Sequence, residues 1–256
     1  MEPDQDWCAR HSKYNLMEYY TDWGARPSAL RHAAVIMPDR TDLVGDFADK
    51  VVRPLHESFI YNRRVNALAK AIVAEIPAAG ELTGLDVGCG HGAIARLVEN
   101  ARTNVKMVGA DVLVRPEALL PVTEFDGRNL PYDDNSFDFV MLVDVIHHAE
   151  DQQRLLSEVA RVARQFVLIK DHLCESPFDF ITLQLMDWVG NRAHGVNLPY
   201  KYLSKREWLD LYRRTGIKVV TENTALNLYA APTSFIAERR LHFLAKLVPL
   251  DLDQEL

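Results

Sequence analysis

The chain has 256 residues, with 29 lysines and arginines against 36 aspartates and glutamates, so its formal net charge is −7. This balance excludes a protein whose whole surface binds phosphate backbones, and a hydrophobic fraction of 48% excludes a disordered chain. Cys8, Cys89 and Cys174 lie too far apart for a disulfide framework or a CxxC metal clip, which indicates a reducing, cytoplasmic compartment. No apolar run approaches the roughly 18 residues of a membrane-spanning helix, and the acidic start lacks the features of a signal peptide, so we expect no stable membrane insertion.

The first 42 residues differ from the rest of the chain. Aromatic and charged residues alternate there without a sustained period, and Pro3, Pro27 and Pro38 interrupt the segment. We therefore predict an N-terminal helical arm or lid over residues 1–42, followed by a single domain over residues 43–256.

Short apolar runs alternate with helical patterns in the first half of that domain. The runs typical of strands cover residues 82–88, 105–111, 121–125, 136–146 and 165–172, and the helical patterns cover 43–76, 93–100 and 150–164. Such alternation predicts right-handed βαβ units and a parallel sheet covered by helices on both faces. Ligands of these sheets bind at the carboxyl ends of the strands.

The pattern changes after the fifth predicted strand. Residues 178–190 are apolar nearly all round a helix, so this helix needs burial on several faces. Its main apolar stripe consists of Phe178, Ile181, Leu185 and Trp188. We interpret about 173–203 as an insertion that either fills the core or forms a helical cap over an acceptor site.

The last part of the chain carries one well-marked helix. Ser204 followed three residues later by Glu207 predicts a capping box, and Gly216 ends the helix. A sixth strand is predicted over 217–222, whereas 234–248 is ambiguous between strand and helix.

The strongest motif is a glycine-rich turn at the end of the first predicted strand. Alternating glycines allow a sharp turn and close backbone approach to a ligand, while the helix that follows offers free N–H groups. The motif runs Asp86-Val87-Gly88-Cys89-Gly90-His91-Gly92. Its spacing also satisfies a dinucleotide pattern, Gly88-x-Gly90-x-x-Ala93, so an NAD(P)- or FAD-dependent oxidoreductase stays open as an alternative.

Three carboxylates at strand ends distinguish the two kinds of cofactor. Asp86, inside the end of the first strand, would repel a pyrophosphate but accept hydrogen bonds from an ammonium group. Asp111 closes the second strand and can accept both hydroxyls of a ribose, which either cofactor requires. Asp126 follows the third strand, where an adenine amine would need an acceptor, and a dinucleotide site does not require it. The set favours a cationic amino-acid ligand that carries an adenosine.

With these motifs the sequence resembles a class I S-adenosylmethionine-dependent methyltransferase of the small-molecule group that includes the ubiquinone/menaquinone C-methyltransferases. The resemblance rests on residues 85–92, 109–111 and 125–148 and extends to Lys170. It implies an α/β, Rossmann-like, doubly wound sheet of seven mostly parallel strands. It also implies S-adenosyl-L-methionine as cofactor and S-adenosyl-L-homocysteine as product.

The resemblance assigns cofactor contacts position by position. Gly88, Gly90 and Gly92 would line the methionine and ribose, and Asp86 would support the loop and the amino group. Asp111 would bind the ribose hydroxyls, and Asp126 with the Gly127 backbone would contact adenine. Val143 and Asp144 would lie at the methionine end, and Val112 would be a further cofactor contact. Two departures from the family pattern matter. The chain has no Pro-Gly-Gly turn before the fifth strand, and it has no Asn-Pro-Pro-Tyr/Phe after the fourth, which argues against a nucleobase acceptor.

Histidines at the same sheet edge are candidates for a general base. His147 and His148 end the fourth predicted strand and His172 ends the fifth, and a histidine takes up a proton near neutral pH without special tuning. Each histidine could instead be a hydrogen-bonded structural residue. Cys89, at the positive end of a helix, could have a lowered thiol pKa, although we interpret it as structural. We expect no metal ligands.

The insertion supplies the candidate acceptor contacts, which are Trp188, Asn191, His194 and Tyr200. They indicate a small-molecule acceptor that is apolar or aromatic and is methylated on O, N, S or C. We expect no nucleic-acid partner, because no basic groove with interleaved aromatic residues is evident, and we consider a homodimer possible. A non-catalytic binding protein of the same fold remains a further alternative.

Overall fold

In a computed structural model of the chain, the structure describes residues 62–191 and 198–250. The predicted arm or lid over 1–42 and the start of the helical segment 43–76 lie outside the described residues. In chain order the elements are α1 Asn62–Glu75, β1 Leu82–Val87, α2 Ala93–Ala101, β2 Val105–Asp111, β3 Val122–Glu124, β4 Phe137–Val143, α3 Gln152–Val162, β5 Ala163–His172, α4 Pro177–Asn191, α5 Lys205–Arg214, β6 Ile217–Asn223, α6 Ser234–Ala237 and β7 His242–Pro249.

The strands form a seven-stranded sheet in the order β3-β2-β1-β4-β5-β7-β6. Strands β1 to β5 are parallel to one another, and β7 runs antiparallel between β5 and β6. The predicted Rossmann-like, mostly parallel sheet is therefore confirmed, and the ambiguous segment 234–248 contains the short helix α6 and the strand β7. The strand order reverses between β1 and β4, which is where such sheets bind ligands.

Helices cover both faces of the sheet. On one face α3 and α5 pack against the strands through Leu156, Val159 and Trp208, and on the other face Leu68 of α1 and Val98 of α2 do so. Because both faces are covered, the central strand β4 is buried at five successive positions rather than at alternate ones. This explains the continuous apolar runs in the sequence.

The fourth strand ends earlier than the sequence predicts. It stops at Val143 instead of residue 146, because Asp144 adopts a positive φ of 58° that takes the chain out of the sheet. A short 3-10 turn, Ile146–His148, follows at the sheet edge. The histidine pair therefore lies in a turn above the strand end and not within the strand.

The expectation that α4 is buried on several faces is wrong. Its predicted apolar stripe is exposed, with Phe178, Ile181 and Leu185 at 59%, 51% and 60%. The helix buries one face, through Phe180 and Leu183, against a small apolar cluster. Periodicity identified the helix, but a sequence does not show how many of its faces are covered by the rest of the chain.

The other local predictions after β5 are confirmed. Helix α5 has the capping box, in which the Ser204 hydroxyl accepts a hydrogen bond from the Glu207 backbone and the Glu207 carboxylate accepts one from the Ser204 backbone.

Within the described part of the chain, none of the helices has the length and apolar character needed to span a bilayer.

Candidate active site

The glycine turn after β1 lines the candidate site. Gly88 and Gly90 both have positive φ, 69° and 58°. A Cβ on Gly88 would lie 2.5 Å from Val145, so a side chain there would collide with the turn after β4, whereas a Cβ on Gly90 would point into open space. Open space beside a left-handed glycine at a strand end is typical of a backbone that a ligand approaches closely.

A cavity of about 150 Å³ lies against this turn. Four residues that the sequence predicted to contact the cofactor line it, namely Asp86, Gly88, Gly90 and Val143. A Cβ on Gly92 would meet Leu120 at 2.0 Å, so this third glycine allows the helix that follows to pack closely.

Two carboxylates face this turn from the ends of neighbouring strands. Asp86 is 3% exposed, and among the described residues none donates a hydrogen bond to its carboxylate. Burial, reinforced by the nearby Asp111 carboxylate, raises the pKa of Asp86 well above its usual value. Asp111 Oδ2 accepts a hydrogen bond from the Gly90 backbone at 2.7 Å, and its Oδ1 accepts one from Leu113 at 3.0 Å. The buried Asp86 carboxyl group therefore has no hydrogen-bond donor among the described residues. The Asp111 carboxylate beside it is an acceptor that two backbone N–H groups hold in position.

The Asp126 side chain stabilises its own loop. Its Oδ1 accepts hydrogen bonds from the backbones of Asn129 and Arg128 at 2.6 and 2.8 Å, and its Oδ2 accepts one from the Asn129 side chain at 2.8 Å. These hydrogen bonds lower the pKa of Asp126 to about 2, so it is ionised. A Cβ on Gly127 would lie 3.3 Å from Val112, so these two predicted cofactor contacts are neighbours. Contact of this group with adenine stays a prediction.

Asp144 is engaged in ion pairs at the other side of the cavity. Its carboxylate is paired with Arg64 of α1 and with Lys170 of β5. Lys170 is fully buried, and burial together with the Arg64 charge lowers the pKa of its ammonium. Asp144 therefore links α1 and β5 to the turn after β4, at the predicted methionine end.

The three predicted histidines lie together at the sheet edge. The His147 ring centroid is 4.0 Å from that of His148 and 4.7 Å from that of His172. His147 and His172 are 1% and 4% exposed, whereas His148 is half-buried. Of the three, His148 is thus the most exposed histidine.

The two buried histidines have opposite pKa shifts. Burial alone lowers the pKa of His147, but the carboxylates of Asp171 and Asp187 outweigh it and raise the value to about 10. Burial, followed by the positive charges of Lys170 and His147, lowers the pKa of His172 well below its usual value. At neutral pH the His147 ring is therefore the positively charged imidazolium and cannot accept a proton from a substrate. His172 is neutral.

Several residues of this site were missed from the sequence. Asp187 of α4 lies 3.2 Å from His147, Tyr202 donates a hydrogen bond to Asp187, and His242 of β7 contacts His172. Arg64 contacts Asp144 from a helix 80 residues earlier. No fixed spacing connects these positions, so the only available signal was the presence of charged residues in otherwise apolar elements.

The predicted acceptor contacts are described only in part. Trp188 is half-buried on α4, and Tyr200 is buried with a positive φ of 52°. The Asn191 side chain and His194 lie outside the described residues.

The prediction that the Cys89 thiol could have a lowered pKa is wrong. Burial, followed by the charges of Asp86 and Asp111, raises the pKa of this thiol far above its usual value. Its sulfur occupies the space beside Gly109, where an added Cβ would lie 2.5 Å away. A neutral thiol packed against the second strand agrees with the structural interpretation.

Comparisons with known proteins point to one enzyme class. Residues 85–166 match a family model described as a methyltransferase domain. The curated tRNA (carboxymethyluridine(34)-5-O)-methyltransferase of Schizosaccharomyces pombe is 35% identical over 88 residues, which are 33% of this chain and 37% of that protein. The ubiquinone/menaquinone biosynthesis C-methyltransferase of Cupriavidus necator is 24% identical over 162 residues, which are 60% of each chain.

A solved methyltransferase shares the fold. It was determined in complex with the Trm112 methyltransferase activator of Haloferax volcanii, and it aligns with a TM-score of 0.57 and 19% identity over 80% of this chain and 96% of that chain. The matches to the two curated relatives span about a third and 60% of their lengths. The segment matched by the family model contains the glycine turn, Asp111 and the histidine pair.

Proposed function

Because the chain belongs to the class I S-adenosylmethionine-dependent methyltransferases, we propose that it transfers a methyl group to an O, N, S or C atom of a small-molecule acceptor that is apolar or aromatic. The observation that carries the cofactor part is the pair Asp86 and Asp111 at the glycine turn. The acceptor part rests on the surroundings of the cap α4.

The residues at the turn fit the cofactor. A methionine ammonium would supply the donor and the positive charge that the buried Asp86 carboxylate lacks among the described residues. Asp111 is held by two backbone N–H groups and keeps lone pairs for the ribose hydroxyls. When bound, the cofactor supplies a methyl group on a positively charged sulfur. The protein holds it so that the acceptor can attack in line.

The oxidoreductase alternative is disfavoured by Asp86. A pyrophosphate at this turn would meet a buried carboxyl group that offers it no positive charge and that repels it when ionised. The family match replaces the dinucleotide interpretation of the glycine spacing.

An apolar acceptor is supported by exposed apolar side chains around the cap. Phe178, Ile181 and Leu185 of α4 are exposed, as are Phe235 and Ile236 of α6, which packs against α4. Clustered exposed apolar residues of this kind mark binding surfaces. In this proposal the predicted contacts Trp188, Asn191, His194 and Tyr200 orient the acceptor.

A transfer assay tests the acceptor class. The full chain is incubated with methyl-labelled S-adenosylmethionine and either a pool of apolar phenols and quinols or bulk tRNA. We expect label in the organic-extractable pool. Label in tRNA, the substrate in the name of the Schizosaccharomyces pombe relative, would contradict the acceptor class while leaving methyl transfer intact. Label in neither pool would support a binding protein.

His148 is the base in this proposal. It is half-buried, whereas His147 and His172 are enclosed and hold the edge of the site. For an acceptor that loses a proton, His148→Gln should lower kcat by about 10²- to 10⁴-fold with nearly unchanged cofactor affinity. The measurement is steady-state methyl transfer beside cofactor titration. An unchanged kcat would show that His148 is not the base. His91→Gln, in the glycine turn, is the matched control variant for changes in cofactor affinity.

Cofactor binding is expected to depend on pH through Asp86. In the unbound protein a raised pKa means that ionisation of Asp86 costs stability, so this contribution to stability is present at low pH and is lost as the pH rises through the folded-state pKa. A bound ammonium reverses the preference, so affinity for S-adenosylhomocysteine should rise with pH, by at most about tenfold per pH unit, and level off above that pKa. Calorimetric titrations across pH test this.

The Asp86→Asn variant is the control for this pH dependence. Its affinity should be weaker and flat with pH, because the amide does not titrate. If the wild-type affinity is equally flat, Asp86 does not bind the ammonium.

A further inference from the structure

A group of buried polar side chains lies behind the candidate base, where the turn after β4, strand β5 and the cap α4 meet. It consists of His147, Asp171, His172, Asp187 and Tyr202, none of which is more than 6% exposed. We call it the histidine–carboxylate cluster. Methyl transfer needs no such group.

The tautomer of His242 fixes the tautomer of His172. His242 Nε2 lies 2.9 Å from the Ala237 carbonyl oxygen, which can only accept, so Nε2 carries the hydrogen. The Lys170 ammonium lies against the other ring nitrogen, Nδ1, and can only donate, so Nδ1 has a lone pair and the ring is neutral. That atom lies 3.2 Å from Lys170 Nζ and 3.1 Å from His172 Nδ1, and it accepts from both. His172 Nδ1 is therefore a donor.

The other nitrogen of His172 is left facing oxygen atoms that cannot donate. With its hydrogen on Nδ1, the neutral His172 ring has a lone pair on Nε2. This atom lies 3.5 Å from Asp144 Oδ1 and 3.9 Å from Asp187 Oδ1. Asp144 Oδ1 is already paired with Lys170. A cation bound between His172 Nε2 and the Asp187 carboxylate would stabilise the remaining lone-pair atoms.

A second histidine nitrogen points into the same place. His147 Nδ1 is engaged by Asp171 Oδ1 at 2.6 Å. Its Nε2 lies 3.2 Å from Asp187 Oδ2, yet it is buried and has no hydrogen bond from or to the described residues, so the contact is badly aligned for one. A nitrogen close to a carboxylate but off the hydrogen-bond direction suits joint binding of a third atom.

The charges agree with this interpretation. Three carboxylates, of Asp144, Asp171 and Asp187, meet here, and among the described residues the lysine and arginine side chains paired with them are Lys170 and Arg64. One positive charge is needed to balance them. A proton on His147 or a bound metal ion can provide it.

The geometry points to a divalent transition-metal ion, Zn²⁺ before others, bound by His147 Nε2, His172 Nε2 and the Asp187 carboxylate. Ligand atoms of these three residues all lie within 4.8 Å of one another. Two imidazoles and one carboxylate form a known ligand set for zinc and related divalent ions. This site goes beyond methyl transfer, because its ion would fasten the cap α4 to the sheet edge.

Each ligand is held from behind in the way that metal sites require. Asp171 accepts from His147 Nδ1, His242 accepts from His172 Nδ1, and Tyr202 donates to Asp187. Such partners fix ring orientation and tautomer, and losing one weakens metal affinity by about 10- to 100-fold. The sequence offered no metal motif, because the ligands lie 25 and 15 residues apart on three different elements.

The experiment uses the full chain, purified without immobilised metal and stripped with a chelator. Co²⁺ is added as a spectroscopic substitute for Zn²⁺, and its visible absorption is followed. We expect saturation at about one Co²⁺ per chain, displacement by Zn²⁺, and a higher unfolding temperature with either ion. A stripped chain that stays folded by circular dichroism and binds neither ion would overturn the proposal and leave the proton on His147 as the balancing charge.

Matched variants locate the ion. Asp187→Asn should abolish the Co²⁺ spectrum, and Tyr202→Phe should weaken Co²⁺ affinity by about 10- to 100-fold. Asp179→Asn, on the same helix but paired with Arg239, should bind as the wild type does. If Asp187→Asn and Asp179→Asn bind Co²⁺ equally, the ion lies elsewhere and the site is refuted. The wild-type titration decides the matter even if Asp187→Asn does not fold.

Discussion

Asp111→Ala is expected to reduce S-adenosylmethionine affinity by about 10²- to 10⁴-fold, which abolishes measurable binding at ordinary concentrations. The variant would lose the two hydrogen bonds that the Asp111 carboxylate accepts from the ribose. Hydrogen bonds to charged groups contribute about 1.5–3 kcal/mol each. It would also release the Gly90 N–H, which Asp111 Oδ2 holds at 2.7 Å across the mouth of the turn. Isothermal titration with S-adenosylmethionine measures the effect directly.

Glu124 supplies the matched control. It pairs in register with Asp111 at the end of the neighbouring strand β3 and is exposed, so Glu124→Ala removes a similar charge from a nearby place. We expect its affinity to stay within about twofold of the wild type, because an exposed charge contributes little. Equal losses in the two variants would mean that Asp111 acts through general electrostatics and not by binding the ribose.

Asp171→Ala is expected to destabilise the fold by about 3–5 kcal/mol, the usual result of removing one partner of a buried ion pair. Asp171 is 1% exposed, and it accepts hydrogen bonds from the backbones of Ile146 and His172 at 3.0 and 2.8 Å and contacts His147 Nδ1 at 2.6 Å. The variant leaves two buried N–H groups and a charged ring without their acceptor. Urea unfolding of metal-free protein measures the change.

Asp134→Ala is the comparison for that measurement. Asp134 also forms an ion pair, with Arg161, but its side chain is 71% exposed. Removing it should cost no more than about 1 kcal/mol, because exposed ion pairs contribute little. Similar unfolding midpoints for the two variants would show that Asp171 does not organise the turn that carries the histidine pair.

The cofactor side of the site could be predicted from sequence because it is local. The glycine turn, Asp86 and the end of β1 lie within seven residues, and Asp111 ends the adjacent strand of the sheet, so strand order alone brings them together. The end of β4 was misplaced because Asp144 adopts a positive φ there. Its ion-pair partners, Arg64 and Lys170, are distant in sequence, so no local pattern contains this turn.

The histidine–carboxylate cluster could be predicted only in part for the same reason. His147 and His172 were expected at one edge because β4 and β5 end there side by side. Asp187 and His242 come from a helix and an antiparallel strand whose positions depend on tertiary packing. The exposure of Phe178 on α4 was likewise not predictable, because periodicity shows which residues share a face but not what covers that face.

Cofactor preference tests the central claim most directly. The full chain is titrated calorimetrically with S-adenosylmethionine, S-adenosylhomocysteine and NADH under one set of conditions. We expect the two adenosyl ligands to bind near micromolar concentrations, about −8 kcal/mol, and NADH to show no binding even at roughly millimolar concentrations, about −4 kcal/mol. Tight binding of NADH with no response to S-adenosylmethionine would contradict the assignment of Asp86 and Asp111 to a cationic, adenosine-bearing cofactor.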